Sequence, residues 1–518
     1  MKKYGWAAFS GILTGLSFQT LLFGWHFPNL GFLAWIAIVP LIWIIYDAKV
    51  SQSFAFGFVS AVVCNVVNFH WLYTALHTYG HISPLPSFLT MFLLALFLAL
   101  YVGAVCALAR WFVIKTKIPL LLWLPVLWVL ADWARNVTPF GGYPWVHLGA
   151  TQVSYLPLVQ IAGIAGSYGI IFCIVWFNVW LTEALFKIQK KESVLFVPKT
   201  IVTALIAILV LGYGFYHLHQ TRNLSAKAPH MKVGLLQPNI PQDEKWDETT
   251  LTRQKNIFKG LVESLEKTVD LIIWPEAAWT ESTSLDATRF NAEDLGLSTA
   301  RGKTPYTLLG LVFSGIENNN QRLYNSAALL DAQGNILEKY HKAHLVPFGE
   351  YVPLRNLLFF LQPVAAIGDF EAGKGYFPLQ LEQFKIAPLI CFEDIFPEIS
   401  RTMVRHGANL LVNISNDAWY GLSSAPWQHL AHAALRSVET GRAMVRATNT
   451  GVTAVIEPTG KVAIASALFE KGVIVYQVPL LTGQTVYTKL GDWFVLACAI
   501  FTLWQLLNLL FKKKSGNI

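Results

Sequence analysis

A chain of 518 residues has room for several domains, and a composition 54% hydrophobic against 14% charged, with mean hydropathy +0.45, places a large part of it in lipid. The formal charge of +8 would suit a nucleic-acid partner. The basic residues, however, lie in short loops between apolar runs, where they set membrane orientation instead.

Apolar runs near the ~20 residues that cross a bilayer core fall at 6–24, 31–47, 54–73, 86–109, 118–134, 157–186 and 200–217, with an eighth at 491–511. The opening stretch MKKYGWAAFSGILTGLSF reads as the first helix, since no small-residue cleavage site follows it and further spans come at once. With alternating spans, Lys2, Lys3, Lys49, Arg110, Lys115, Lys117, Lys187, Lys190, Lys191, Lys199 and Lys512–Lys514 share one side, against Arg135 on the other. That asymmetry makes the first side cytoplasmic, with both termini there and the polar stretch after the seventh span on the far side. The expected organisation is seven transmembrane helices in 1–220, an exported α/β domain in 230–480, and an eighth helix with a basic tail in 488–518. Asp132, Arg135 and His147 are placed near the exported face, as head-group guides or as a structural ion pair.

From Met231 short strands alternate with helices. MKVGLLQ, VDLIIW, YTLLGLVFSG, SAALLD, ILEKYHK, FKIAPLIC and ANLLVNIS predict strands; 248–267 and 428–444 predict helices. DAQGN at 331–335 and PTGK at 458–461 signal hairpins. Strands this rich in Val, Ile and Leu are buried on both faces, which implies mixed sheets covered by helices. In such folds, functional groups collect beyond the carboxyl ends of strands. Glu276, Lys342 and Cys391 all occupy such positions.

Of the five cysteines, Cys64, Cys106, Cys173 and Cys498 fall in apolar runs, and Cys391 alone lies in the polar region. A thiol becomes a strong nucleophile only with a base or a positive field beside it. Glu276, behind a proline and between apolar residues, is the candidate base, and Lys342 the candidate cation. A cation a few ångströms from the sulfur is worth about 4 kcal/mol at an effective dielectric near 20, or roughly three pKa units. On that account Lys342 outweighs the acids beside Cys391, leaving Glu393 and Asp394 to hold Lys342 or the strand end. His341 and His344 flank Lys342, but no neighbouring spacing of carboxylates or cysteines points to a metal.

The blocks IIWPEAAW, YHKAHLVPFGEYVP and LICFEDIFPE resemble the three catalytic blocks of the nitrilase superfamily. With the membrane spans and PFGEYVP, QPNIPQDEKW and NISNDAWYG, the chain is similar more specifically to the apolipoprotein N-acyltransferase family. The resemblance implies an αββα sandwich and a Glu276–Lys342–Cys391 triad, supported by Glu350 and Glu393, with Trp246 near the substrate. Phe392 stands where similar enzymes often have Tyr, so its ring packing is the part expected to carry over. The implied reaction moves an acyl chain from a phospholipid, most plausibly phosphatidylethanolamine, through a cysteine thioester. The acceptor is the α-amino group of a diacylglyceryl-cysteine on an apolipoprotein. No metal or organic cofactor is implied, and the setting is the inner membrane of a bacterium with the catalytic domain periplasmic.

The stretch 353–368, with Leu358 and Phe359, is too apolar for an exported loop and too short to span, which suits an arm resting on the bilayer or a core helix. Trp419 and Tyr420 are candidates for the lipid entrance. Two other readings remain open: a membrane-tethered amidase passing the acyl group to water, and a transporter with an exported binding domain. The loop-end placement of the charges counts against the transporter.

Overall fold

The computed structural model describes every residue except 19, 23–24, 28–29, 196, 266–267, 298–304, 318–319, 354–368 and 516–518. It forms two compact units: Met1–Tyr73 with Ser83–His219 and Leu490–Ile518, and Thr74–Ile82 with Gln220–Lys489.

In the first unit and at its edges, six helices among the described residues are long and apolar enough to cross a membrane. They are Val50–Tyr79, Pro84–Thr116, Leu120–Val137, Ser167–Gln189, Pro198–Lys227 and Trp493–Phe511. They match six of the eight expected runs; the first two runs form shorter pieces. Lys2–Leu16 has 15 residues, about 22 Å of rise at 1.5 Å per residue. A small hairpin follows, β1 Thr20–Leu22 and β2 Trp25–Phe27. The second run divides into a 3-10 turn at Leu30–Leu33 and helices Ala34–Ala37 and Val39–Ile45, with Pro40 opening the last. Proline brings no N–H and interrupts the ladder. Asn178 takes up backbone groups at this break: its Nδ2 donates to the Ala34 carbonyl at 2.9 Å and its Oδ1 accepts from the Ile38 N–H at 3.0 Å. A buried polar residue among apolar helices is thereby satisfied. Arg135 pairs with Asp132, and His147 Nε2 lies 3.0 Å from the other carboxylate oxygen, a structural ion pair.

The second unit is built on two sheets. One has the order β15-β3-β4-β6-β7-β8, where β3 is His230–Gln237, β4 Leu271–Ile273, β6 Tyr306–Glu317, β7 Asn320–Leu330, β8 Ile336–His341 and β15 Gly472–Pro479; β5, Trp279–Ser284, pairs with β6. The other has the order β14-β13-β12-β11-β10-β9, where β9 is Leu379–Leu381, β10 Phe384–Ile390, β11 Leu410–Ser415, β12 Ala443–Thr448, β13 Ala454–Ile456 and β14 Val462–Ala465. Both have parallel centres, β3-β4-β6 and β10-β11-β12, with antiparallel strands outside them. Strand β12 lies against β3 and β10 against β7, so the sheets face each other. Helix Leu251–Ser264 covers the first sheet, and Pro397–Arg405 and Ala425–Thr440 cover the second.

The parallel centres explain the continuous apolar strands: β11 and β12 are buried at every position. Under the first sheet, Phe258 stacks on Trp274 with ring centroids 4.2 Å apart. Both expected hairpins form, joining β7 to β8 and β13 to β14. The helix expected over 428–444 stops at Thr440 because Gly441, at φ 64°, turns the chain out of it, and strand β12 follows. The helical period of the preceding residues concealed that switch.

Truncating Phe258 to Ala removes one face of the Trp274 stack from a closed core. We expect a loss of about 3–5 kcal/mol, read as a lower unfolding midpoint of the full chain in detergent. A midpoint matching the unaltered chain would place Phe258 outside the cooperative core.

Candidate active site

The carboxyl ends of β4, β8, β10 and β11 meet at one edge of the facing sheets, and the candidate side chains stand there. Glu276 follows β4 in a tight turn, with Ala277 at φ 45°. The turn lies so close to β6 that a Cβ on Gly310 would sit 2.0 Å from the Pro275 carbonyl oxygen, which only glycine allows. The Glu276 carboxylate is 8% exposed. It accepts from Asn325 Nδ2 and from the backbone N–H of Asn416, each at 2.8 Å. The second bond crosses between the sheets, since Asn416 directly follows β11.

Lys342 follows β8 and is 1% exposed. Its ammonium donates to Glu350 Oε1 at 2.9 Å and lies 2.8 Å from Oε2 in an ion pair. Burial works against its charge, but Glu350, Cys391 and Glu276 together hold it above the ordinary lysine range. Asn325 Nδ2 also donates to Glu350 Oε1 at 2.9 Å, so one amide bridges Glu276 and the partner of Lys342. Sequence reading missed Asn325 because it lies inside β7, not beyond a strand end.

Cys391 is the first residue after β10, at φ 53°. That left-handed conformation costs a side-chain-bearing residue about 1–3 kcal/mol and turns the chain sharply into the 3-10 segment Cys391–Ile395. Its thiol departs from expectation. Burial and the Glu276 charge push it well above the ordinary cysteine range, and Lys342 and a Ser415 hydrogen bond offset only part of this. The sulfur therefore rests protonated: desolvation outweighs the pull of Lys342, whose ammonium is already engaged by Glu350.

Glu393 holds the strand end, as expected of it. It accepts from Tyr340 Oη, the N–H groups of Ala343 and His344, and the Ile390 N–H, all at 2.8–3.1 Å. Burial nevertheless raises its carboxyl to about 7, against those bonds and Lys342. Asp394 does not hold Lys342. It pairs with His429 Nε2 at 2.7 Å and Arg446 at 2.5 Å, and Asp417 closes the cluster through His429 Nδ1 at 3.1 Å and Arg446 at 3.4 Å. His429 Nε2 also lies 3.2 Å from the Cys391 carbonyl oxygen, so this buried quartet backs the Cys391 turn. Phe392 is 4% exposed and packs on Phe396 at 5.1 Å.

Trp246 is 46% exposed and lies on the turn beside the site. Trp419 packs edge-on against Tyr79 at 6.3 Å, and Tyr420 is half-buried. Leu358 and Phe359 lie outside the described residues. His341 bonds the Ser326 hydroxyl at 2.7 Å, and the His344 ring packs on Phe396 at 3.9 Å. The arrangement joins a protonated thiol, a carboxylate and a fixed ammonium, the parts needed for attack on a carbonyl.

Residues 232–487 match the carbon-nitrogen hydrolase family, and residues 10–180 match the apolipoprotein N-acyltransferase N-terminal domain. Apolipoprotein N-acyltransferase of Geobacter metallireducens is 37% identical over 96% of this chain and 93% of its own. Those of Shewanella oneidensis and Haemophilus influenzae are 34% and 32% identical, covering 85% and 94% of this chain and 83% and 92% of their own.

Two outcomes test this electrostatic picture. With a raised thiol pKa, iodoacetamide should label Cys391 more slowly at pH 7 than it labels a free peptide thiol, and faster as pH rises beyond 9; peptide mass spectrometry reads both, and rapid labelling at pH 7 would contradict it. His429 is raised from 6.5 to about 9 by Asp394 and Asp417, against burial and Arg446. Its stabilisation is complete below about pH 6.5 and is lost as pH climbs through about 9. The melting temperature should fall across that window in the unaltered chain and fall less in His429→Gln.

Proposed function

The chain belongs to the apolipoprotein N-acyltransferase family, and we propose that it acts through a thioester on Cys391, with Glu276 as the proton carrier and Lys342 as the fixed cation. As Sγ bonds to an ester carbonyl carbon of a phospholipid, its proton passes to Glu276 and the carbonyl pair moves onto oxygen. The Lys342 ammonium and a backbone N–H stabilise that oxyanion. Collapse breaks the C–O ester bond, Glu276 returns the proton to the leaving lysophospholipid oxygen, and the acyl chain stays on sulfur.

The α-amino group of a diacylglyceryl-cysteine at the start of an apolipoprotein then attacks the thioester carbon. Its proton goes to Glu276, the C–S bond breaks, and Glu276 reprotonates the sulfur. Supporting this order, the thiol is too basic to ionise at rest, which suits proton removal concerted with attack. Glu350 keeps Lys342 in place, Glu393 keeps the strand end in place, and Trp246, Trp419 and Tyr420 contact the acyl chains or the acceptor. Leu358 and Phe359 are assigned to the same lipid contacts on composition alone.

Phosphatidylethanolamine is the proposed donor. The proposed setting is a bacterial inner membrane with both termini cytoplasmic, the α/β unit periplasmic and eight crossings, two of them made by the shorter segments Lys2–Leu16 and Leu30–Ile45. Pulling an acyl chain into water costs about 0.8 kcal/mol per CH₂, which is why such chemistry belongs at a lipid surface. The observation that carries the proposal is the convergence of Glu276, Lys342 and Cys391 at one sheet edge in a chain related to acyltransferases along nearly its full length.

Intact-mass measurement after mixing the protein with phosphatidylethanolamine should show one acyl adduct, absent in Cys391→Ala. A diacylated lipopeptide should then discharge it to an N-acylated product. Free fatty acid without N-acylated peptide would replace transfer by hydrolysis.

A further inference from the structure

Lys245 is buried at the same sheet edge and has no part in the scheme above. It is 3% exposed, and its Nζ donates to the backbone carbonyl of Glu276 at 2.9 Å. Its turn is held firmly. Gln254 Nε2 donates to the carbonyls of Glu244 and Lys245 at 3.0 and 3.1 Å, and Asn416 Nδ2 donates to Gln242 Oε1 at 2.7 Å. Glu244, the acid next to Lys245, is taken by Arg253. The charges acting on the Lys245 ammonium are that of Glu276 and, when the sulfur ionises, that of Cys391.

A burial argument gives this lysine a role. Two carboxylates, Glu276 and Glu350, stand in the site, and Lys342 donates to Glu350 with both carboxylate oxygens engaged. The other acids nearby are matched elsewhere: Glu393 by four donors, and Asp394 and Asp417 by His429 and Arg446. Without Lys245 the set of Glu276, Glu350 and Lys342 carries an uncompensated negative charge, and building a second anion on the attacked carbonyl in low dielectric is then strongly opposed.

We infer that Lys245 is a second cation of the transfer site, a positioning residue that anchors the Glu276 turn and offsets the negative charge passing between Cys391 and the attacked carbonyl. Lys245 exchanges no proton and forms no bond to the acyl group; it acts through Glu276 and through its field. Burial brings it down to about 8, against Glu276 and Cys391, so it loses charge just above neutrality. This inference rests on the thioester reading.

The test follows Cys391 acylation by intact mass in the full chain, with phosphatidylethanolamine in detergent micelles. Lys245→Met should slow acylation about a hundredfold at unchanged melting temperature, and should lose the alkaline fall in rate expected of the unaltered chain near pH 8. Lys245→Gln keeps a donor for the Glu276 carbonyl without the charge, and should be slowed comparably. In Lys245→Ala, propylammonium should restore acylation at least about tenfold where propanol does not.

Acylation of the Met variant within about twofold of the unaltered rate, full activity in the Gln variant, or equal effects of amine and alcohol would each overturn the assignment. A fall near pH 8 that persists in Lys245→Met and Lys245→Gln would do the same. No adduct on the unaltered chain would instead sink the thioester reading, and this inference with it.

Discussion

Removing charge from water is the constraint around which the α/β unit is organised. Glu276, Lys342, Glu350 and Glu393 are all buried at the sheet edge, where an unmatched ion costs several kcal/mol. Each therefore has directed partners, and those partners come from different strands. The Asn416 N–H reaches from the second sheet to Glu276 in the first, and Glu393 reaches back to the N–H groups after β8. Satisfying the charges and clamping the two sheets together at this edge are thus the same set of hydrogen bonds.

That constraint also governs reactivity. A field strong enough to ionise the thiol at rest would leave a nucleophile exposed to any passing electrophile. Here desolvation wins over Lys342, and the sulfur is kept protonated beside a carboxylate aimed by two donors. On the proposed mechanism reactivity then depends on substrate arriving, because the proton moves only as a new bond forms. The left-handed turn at Cys391 presents the sulfur at the strand end, and the Asp394–His429–Asp417–Arg446 quartet behind it resists relaxation of that strain.

The helical unit meets the same rule by different means. In an apolar surrounding each interruption of a helix frees backbone groups, and Asn178 answers the break near Pro40. Arg135 and Asp132 neutralise each other, with the His147 ring 3.0 Å from the carboxylate. Buried Gln152 likewise donates to the Gly31 carbonyl at 2.8 Å, so polar side chains there serve the backbone or each other.

Much of this was legible from the residues. Apolar runs marked the membrane helices, and Val-, Ile- and Leu-rich strands marked buried sheets. Residues just beyond strands marked Glu276, Lys342 and Cys391, because strand periodicity is local and a polar residue at its end stands out. The first two apolar runs misled on length, since hydropathy does not register where Ser17 and Pro40 break a helix. Gly441 hid the start of β12 within a helical period. Asn325 and Lys245 gave no local signal: one sits mid-strand and the other in a turn, and their meaning comes from Glu276 lying next to both. Likewise the protonation of Cys391 was misjudged by weighing Lys342 against the adjacent acids, because it depends on depth of burial and on the charge of Glu276, which that weighing left out. Local patterns are written in consecutive residues, whereas electrostatic balance is a sum over groups that only folding brings together.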